Sequence, residues 1–185
     1  TGTLTSSDVD AAATKAWSLQ GTPSTTYGSI SLVADTGVWT YTLDNSLAAT
    51  QALKEGQSVT QTYTARVTDD FGAYVDQTIT VTINGTNDVP VVTNAGSALL
   101  GSVTEAGHED DGTVVAGTVT ATGTLTSSDV DASATKTWTI ADATPSTTYG
   151  SIAIVSGTGV WTYTLNNSLA ATQALKEGES VTQTY

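Results

Sequence analysis

The stretch VTINGTNDVPVV, residues 81–92, decides how this chain is read. Just upstream, in TITVTI at 78–83, Ile79, Val81 and Ile83 alternate with Thr, so every second side chain faces the same way. Period-two alternation of β-branched residues is the pattern of a strand with one buried face. Asn84-Gly85 ends the alternation, and an Asn87-Asp88 pair follows. Pro90 then restricts the backbone before a second apolar run begins. A strand that closes on a carboxylate before a stiff restart reads as the end of a domain.

The same alternation recurs elsewhere. In VWTYTL at 38–43, Trp39, Tyr41 and Leu43 fall on one face, and in YTARV at 63–67, Tyr63, Ala65 and Val67 do the same. Gly/Ser/Thr/Asp clusters separate these runs at spacings typical of an antiparallel β-sandwich. The pattern predicts an all-β fold. NSLAATQALKEG at 45–56 is the one helical candidate, worth a turn or two, with Ser46 as the expected cap and Gly56 as the stop.

The sequence also repeats. TGTLTSSDVDAAATKAWSLQ (1–20) returns as TGTLTSSDVDASATKTWTIA (122–141), and the stretch 37–63 returns almost unchanged at 159–185. The offset is 121 residues at Trp17/Trp138 and 122 at Trp39/Trp161, Asp142 being the extra residue. A period this long is a whole domain. The expected division is 1–88 and 89–185. Aligned on each other, the first part lacks counterparts of 94–121 and the second lacks counterparts of 64–88. Each is therefore expected to expose a strand edge, the chain reading as a window on a longer repeat array; as an autonomous molecule it is expected to take strands from neighbouring chains or to have one half poorly ordered.

Composition narrows the function. The 185 residues carry 18 carboxylates against five Lys and Arg, a net charge of −13. Nucleic acid is not expected as a partner, because phosphate neutralisation needs a basic patch. Nor is membrane insertion, since no apolar run approaches the roughly 20 residues of a span. No Cys is present and His108 is the sole imidazole, so zinc and nucleophile–base chemistry have little to work with. His108 reads as part of an exposed acidic loop, EAGHEDDG. The chain is not expected to be an enzyme. No charged segment leading into an apolar core marks a signal peptide, and residue 1 lies within a patterned segment.

The carboxylates gather at strand ends. Asp8 and Asp10 form a D-x-D that recurs at Asp129 and Asp131, Asp69 and Asp70 follow a core strand, Glu55 and Glu177 sit in LKEG, and Glu105 in VTEAG. Acids in turns are often simply solvated, Asp favouring such positions for its own hydrogen bonding. Carboxylates converging from several loops also suit Ca2+, which takes about six to eight oxygens in flexible geometry.

TYTARVTDDFGAYVDQTITVTINGTNDVPVV (62–92) resembles the end of a cadherin repeat, in which an A-x-D-x-G-type loop leads by a last strand to a D-x-N-D-x-x-P-type linker. SVTEAG resembles the family's opening strand with its Glu, TATGTLTSSDVDA its D-x-D segment, and YGSISLVADTGVWTYTL its F-x-I-x-x-x-T-G-x-I stretch. The chain looks like a VCBS-type bacterial cadherin-like repeat of large secreted RTX-type surface adhesins. That resemblance implies a Greek-key β-sandwich of the cadherin/immunoglobulin kind, in tandem repeats with Ca2+ at the junctions. It implies that Glu55, Asn87 and Asp88 face Asp129 and Asp131, that Asp8, Asp10 and Asp69 serve a preceding junction, and that Glu105 and Glu177 serve a following one. Gly85 stands where the family linker has its first Asp, the Asn-Asp to Pro spacing is one residue short, and LKE lacks the Asp of the L-D-R-E motif. About one or two ions per junction are expected on that basis.

The function so implied is a Ca2+-stiffened extender in a secreted bacterial surface protein serving adhesion or biofilm formation. Its partners would be adjacent repeats or neighbouring copies, with a surface glycan or protein as a further ligand. The alternative is a carbohydrate-binding β-sandwich module, using Trp17, Trp39, Trp138, Trp161, Tyr27, Tyr41 and Tyr149 as a stacking platform. Alternation puts Trp39 and Tyr41 on the core face, leaving Tyr27 and Tyr149 in TTYGS as the expected exposed aromatics.

Overall fold

The computed structural model describes residues 1–10 and 13–185. The chain packs as two compact units, Thr1–Val89 with Val130–Ala134, and Pro90–Asp129 with Thr135–Tyr185. Almost all of its regular structure is antiparallel sheet, as the alternation predicts.

The first unit holds β1 (Gly2–Thr3), β2 (Lys15–Leu19), β3 (Gly28–Leu32), β4 (Val38–Leu43), α1 (Ala48–Gln51), β5 (Ser58–Asp69) and β6 (Tyr74–Asn84). They form two three-stranded sheets, ordered β1-β4-β3 and β2-β5-β6. β5 and β6 make a long hairpin whose register runs from Ser58↔Asn84 to Thr68↔Tyr74. Its register puts Tyr63 opposite Ile79 and Val59 opposite Ile83, so the apolar members of both strands share one face. Trp17, Tyr63, Ala65 and Ile79 are buried there, and Ile30, Leu32, Trp39 and Tyr41 of the other sheet pack against them. Burying one such large side chain stabilises by about 1.5–3 kcal/mol, so this shared face is the main source of the unit's stability. Gly37 admits Trp17 to it: a Cβ at Gly37 would lie 2.9 Å from the indole Nε1 and 2.5 Å from the Leu4 carbonyl, at a φ of +66°.

A polar knot closes one side of this core. The hydroxyls of Tyr41 and Tyr63 both donate to Oε1 of Gln61, at 3.0 and 2.7 Å, and Gln61 Nε2 donates to Ser24 Oγ at 2.8 Å. Gln61 is thereby satisfied on both sides of its amide while only 9% exposed. The second unit repeats the knot with Tyr163, Tyr185, Gln183 and Ser146.

That unit holds β7 (Val91–Val92), a 3₁₀ turn at Gly96–Leu99, β8 (Gly107–His108), β9 (Val114–Val115), β10 (Thr120–Thr124), β11 (Ser127–Ser128), β12 (Gly150–Ile154), β13 (Val160–Leu165) and α2 (Ala170–Gln173). The sheet β10-β13-β12 reproduces β1-β4-β3: Gly123↔Trp161 and Thr124↔Val160 match Gly2↔Trp39 and Thr3↔Val38. β7 pairs with β11, and β8 with β9. Trp138 lies against Gly159 as Trp17 lies against Gly37, with the same 2.9 Å approach. Among the described residues, 136–140 and 180–185 stand outside the ladders that their counterparts form in the first unit.

Three expectations change. The helix is one turn, and Ser46 does not cap it: Asp44 Oδ1 accepts both the Ser46 N–H (2.8 Å) and its hydroxyl (2.6 Å), which leaves Leu47 at the cap position. Gly56 does not stop it either. The helix ends at Gln51, and Gly56, at φ +79°, instead forms the turn that enters β5. Leu43 shares the face of Trp39 and Tyr41 but is 40% exposed, whereas its counterpart Leu165, whose N–H donates to the Val119 carbonyl at 2.7 Å, is buried.

Candidate cation-binding end of the first unit

β6 runs out at Asn84, held by Ser58 Oγ donating to Asn84 Oδ1 at 2.7 Å. The next residue keeps the chain pressed to the loop that follows α1, since Gly85 N–H donates to the Gln57 carbonyl at 2.8 Å. A Cβ at Gly85 would lie 2.2 Å from the Leu53 carbonyl oxygen and 2.4 Å from that of Lys54. No side chain fits there, so the passage requires Gly.

The close passage at Gly85 delivers Asn87 and Asp88 beside the loop that carries Glu55. Residues 130–134 join the same end: Ala132 N–H donates to the Ala52 carbonyl at 3.1 Å. Asp88 N–H donates to Asp131 Oδ2 at 3.0 Å. Asp131 is only 7% exposed. A carboxylate removed from water in this way needs hydrogen bonds or a cation to hold its charge. Asn87 turns its Nδ2 to the Asp88 carbonyl at 2.7 Å, while Glu55 is exposed.

Three of the expected ligand segments are therefore brought together within the first unit, namely 53–57, 85–88 and the Asp131 turn. All their donors are oxygens, the set that a hard cation takes. Among the described residues, no group of three or more Asp, Glu or His side chains stands at metal-holding geometry. Asp129 belongs to the second unit.

The other expected ligands lie elsewhere in the two units. Asp8 and Asp10 are exposed, Asp10 N–H donating to Asp8 Oδ1 at 3.0 Å. Asp69 Oδ1 accepts the N–H groups of Phe71 (2.9 Å) and Ala73 (2.8 Å) and so builds the turn between β5 and β6. In the second unit, Glu105 Oε1 accepts Gln173 Nε2 at 2.7 Å, and Glu177 Oε2 accepts the Asp110 N–H at 3.0 Å. Glu177 shares a shallow depression of about 520 Å³ with Glu109, Asp110, Asp111 and Gly178.

Glu109, Asp110 and Asp111 are absent from the sequence-derived ligands. His108 is exposed as expected, but the stretch around it is a hairpin turn between β8 and β9, closed by Gly112 N–H to the Glu109 carbonyl at 2.8 Å. The Thr113 side chain and N–H hold the Asp111 carboxyl below its ordinary pKa. D-D-G between short β-branched runs was the signal for this hairpin.

The aromatic platform also changes. Tyr27 and Tyr149 are half-buried, because the Tyr27 carbonyl anchors the Asp44 N–H (2.9 Å) and the Tyr149 carbonyl anchors Asn166 in the same way. Trp17 is in the core. Among the described residues, the most exposed aromatics are Phe71 and Tyr74, at 87% and 57%. The Arg66 guanidinium lies 3.6 Å over the Tyr74 ring and pairs with Asp76 through two bonds of 2.7 and 2.8 Å.

Comparison of the chain with protein-family models and with curated proteins finds no match.

Proposed function

We propose that the chain is a Ca2+-stiffened structural repeat of a secreted bacterial cell-surface adhesin, a VCBS-type cadherin-like domain with a Greek-key β-sandwich topology. The work is mechanical and non-enzymatic, with adjacent repeats as partners and a glycan or protein ligand held elsewhere in the parent molecule. One observation carries the reading. The same D-x-D sequence is exposed at Asp8 and Asp10, yet its second copy places Asp131 in a buried position on the N–H of Asp88. A buried carboxylate on the Asp88 N–H, in a chain of net charge −13, is the kind of group that a divalent cation stabilises.

In this reading Asp131, Asp88, Glu55 and the Asn87 amide oxygen hold the ion, and backbone carbonyls and water complete its shell. Its chemistry is charge neutralisation, which turns mutual repulsion into attraction and makes binding part of the folding free energy. Glu105 and Glu177, with Glu109, Asp110 and Asp111, form the corresponding acidic end of the second unit. Calorimetric titration of the full chain with Ca2+ tests the proposal, and loss of heat in an Asp88→Asn, Asp131→Asn double variant locates the site. The carbohydrate-binding alternative rests on exposed Tyr74 beside Arg66, and a glycan screen that responds to Tyr74→Ala would favour it instead.

A further inference from the structure

The two units treat one identical sequence differently. In the second, residues 124–128 are covered by an antiparallel strand: Val92 pairs with Ser127 and Val91 with Ser128. Thr93 N–H donates to the Thr126 carbonyl at 2.9 Å, and the Asn94 side chain brackets the edge, giving Nδ2 to the Thr124 carbonyl (2.7 Å) and taking the Thr126 N–H on Oδ1 (2.6 Å). In the first unit the same residues, Thr3-Leu4-Thr5-Ser6-Ser7, follow the same path. Leu4 N–H donates to the Gly37 carbonyl at 2.9 Å, as Leu125 does to Gly159. Lys15 Nζ reaches the Ser6 carbonyl as Lys136 reaches Ser127, so the lysine does not block the edge.

Where the second unit has its covering strand, the first has a groove. It is about 470 Å³ and lies between residues 3–7 and Trp17, Val67, Val75 and Gln77. Val75 on its wall is 67% exposed. Ser6 Oγ at its edge is buried with no hydrogen-bond partner among the described residues. An apolar wall beside an open strand edge is the combination that strand addition satisfies.

We infer that this groove is an acceptor for an antiparallel strand of the Val91-Val92-Thr93-Asn94 type. Its register follows from the second unit: Val91 opposite Ser7, Val92 opposite Ser6, and the Asn side chain on the Thr3 carbonyl and Thr5 N–H. The β-branched side chains cover Val75 and Trp17. The occupant is sequence-specific because Asn is the residue that satisfies one acceptor and one donor of the edge at once.

The test uses the full chain and a synthetic peptide of residues 88–99. The chain has no cysteine, so a Ser7→Cys variant and a peptide carrying Val91→Cys form a clean disulfide trap. Directly opposed residues of an antiparallel pair lie about 4.5–5.5 Å apart at Cα, within the range of a disulfide. Expected are trapping at Ser7→Cys far above that at an outward Thr62→Cys, and about tenfold weaker binding by fluorescence anisotropy when the peptide's Asn94 is changed to Ala. Trapping equal at both positions, equal binding of a scrambled peptide, or trapping only at Ser128→Cys through displacement of the resident strand would each overturn the inference.

Discussion

Asp88 and Asp131, 43 residues apart, meet in one hydrogen bond, the N–H of Asp88 donating to Oδ2 of Asp131 over 3.0 Å. Removing the acceptor leaves a half-buried donor unsatisfied, a loss of about 1–3 kcal/mol. Asp131→Ala should therefore lower hydrogen-exchange protection at the Asp88 amide by about tenfold or more. Asp10→Ala, at the equivalent and exposed position, should leave the stability of the protein within about 0.5 kcal/mol of the parent. Unchanged protection at Asp88 in the first variant would contradict the contact's role.

Gly85 is the second point of control. Gly85→Asp adds a carboxylate at the close passage, but its Cβ would meet two backbone carbonyls at 2.2 and 2.4 Å. Backbone atoms cannot swing aside as a flexible side chain does, so the substitution should lower the melting temperature without tightening Ca2+ binding. Gly56→Ala is the control, a positive-φ position with nothing within 4 Å of the added carbon. It should cost only local backbone strain, about 1–2 kcal/mol. A Gly85→Asp protein with parental stability and higher Ca2+ affinity would count against this geometry.

The strands were legible because alternation is a local property. Ile79, Val81 and Ile83 on one strand and Tyr63, Ala65 and Val67 on another announce their faces without reference to the rest of the chain. Leu43 obeys the same alternation yet is exposed, since the extent of the core is a tertiary fact that periodicity does not carry. Ser46 was misread because Asp44, two residues earlier, competes for it and wins both of its donors. Glu109, Asp110 and Asp111 were passed over as part of an exposed acidic loop, and their approach to Glu177 is a long-range contact. The Arg66–Asp76 pair and its stacking on Tyr74 likewise depend on the β5–β6 register, which sequence spacing alone does not fix.

The tyrosine knots set an alkaline limit. Burial raises the pKa of Tyr63, and burial together with the neighbouring Tyr63 raises that of Tyr41. A group whose folded pKa lies above its unfolded value of about 10 contributes stability that is complete below that value. The contribution is lost as pH rises through the folded pKa. Stability should therefore fall above about pH 10, with tyrosinate absorbance appearing cooperatively with unfolding. Tyr41→Phe with Tyr63→Phe should flatten that limb in the first unit. Tyrosine ionisation that precedes unfolding at the ordinary pKa would contradict it.

The most direct measurement is thermal unfolding of the full chain in Ca2+, in chelator, and in NaCl at matched ionic strength. A ligand that binds only the folded form stabilises by RT ln(1 + [L]/Kd), about 2.7 kcal/mol at a hundredfold excess over Kd. The expected result is a rise in melting temperature with Ca2+ that chelator reverses, that NaCl does not reproduce, and that shrinks in Asp88→Asn, Asp131→Asn. Equal shifts from Ca2+ and NaCl would reduce the effect to screening of a −13 chain and contradict the cation site.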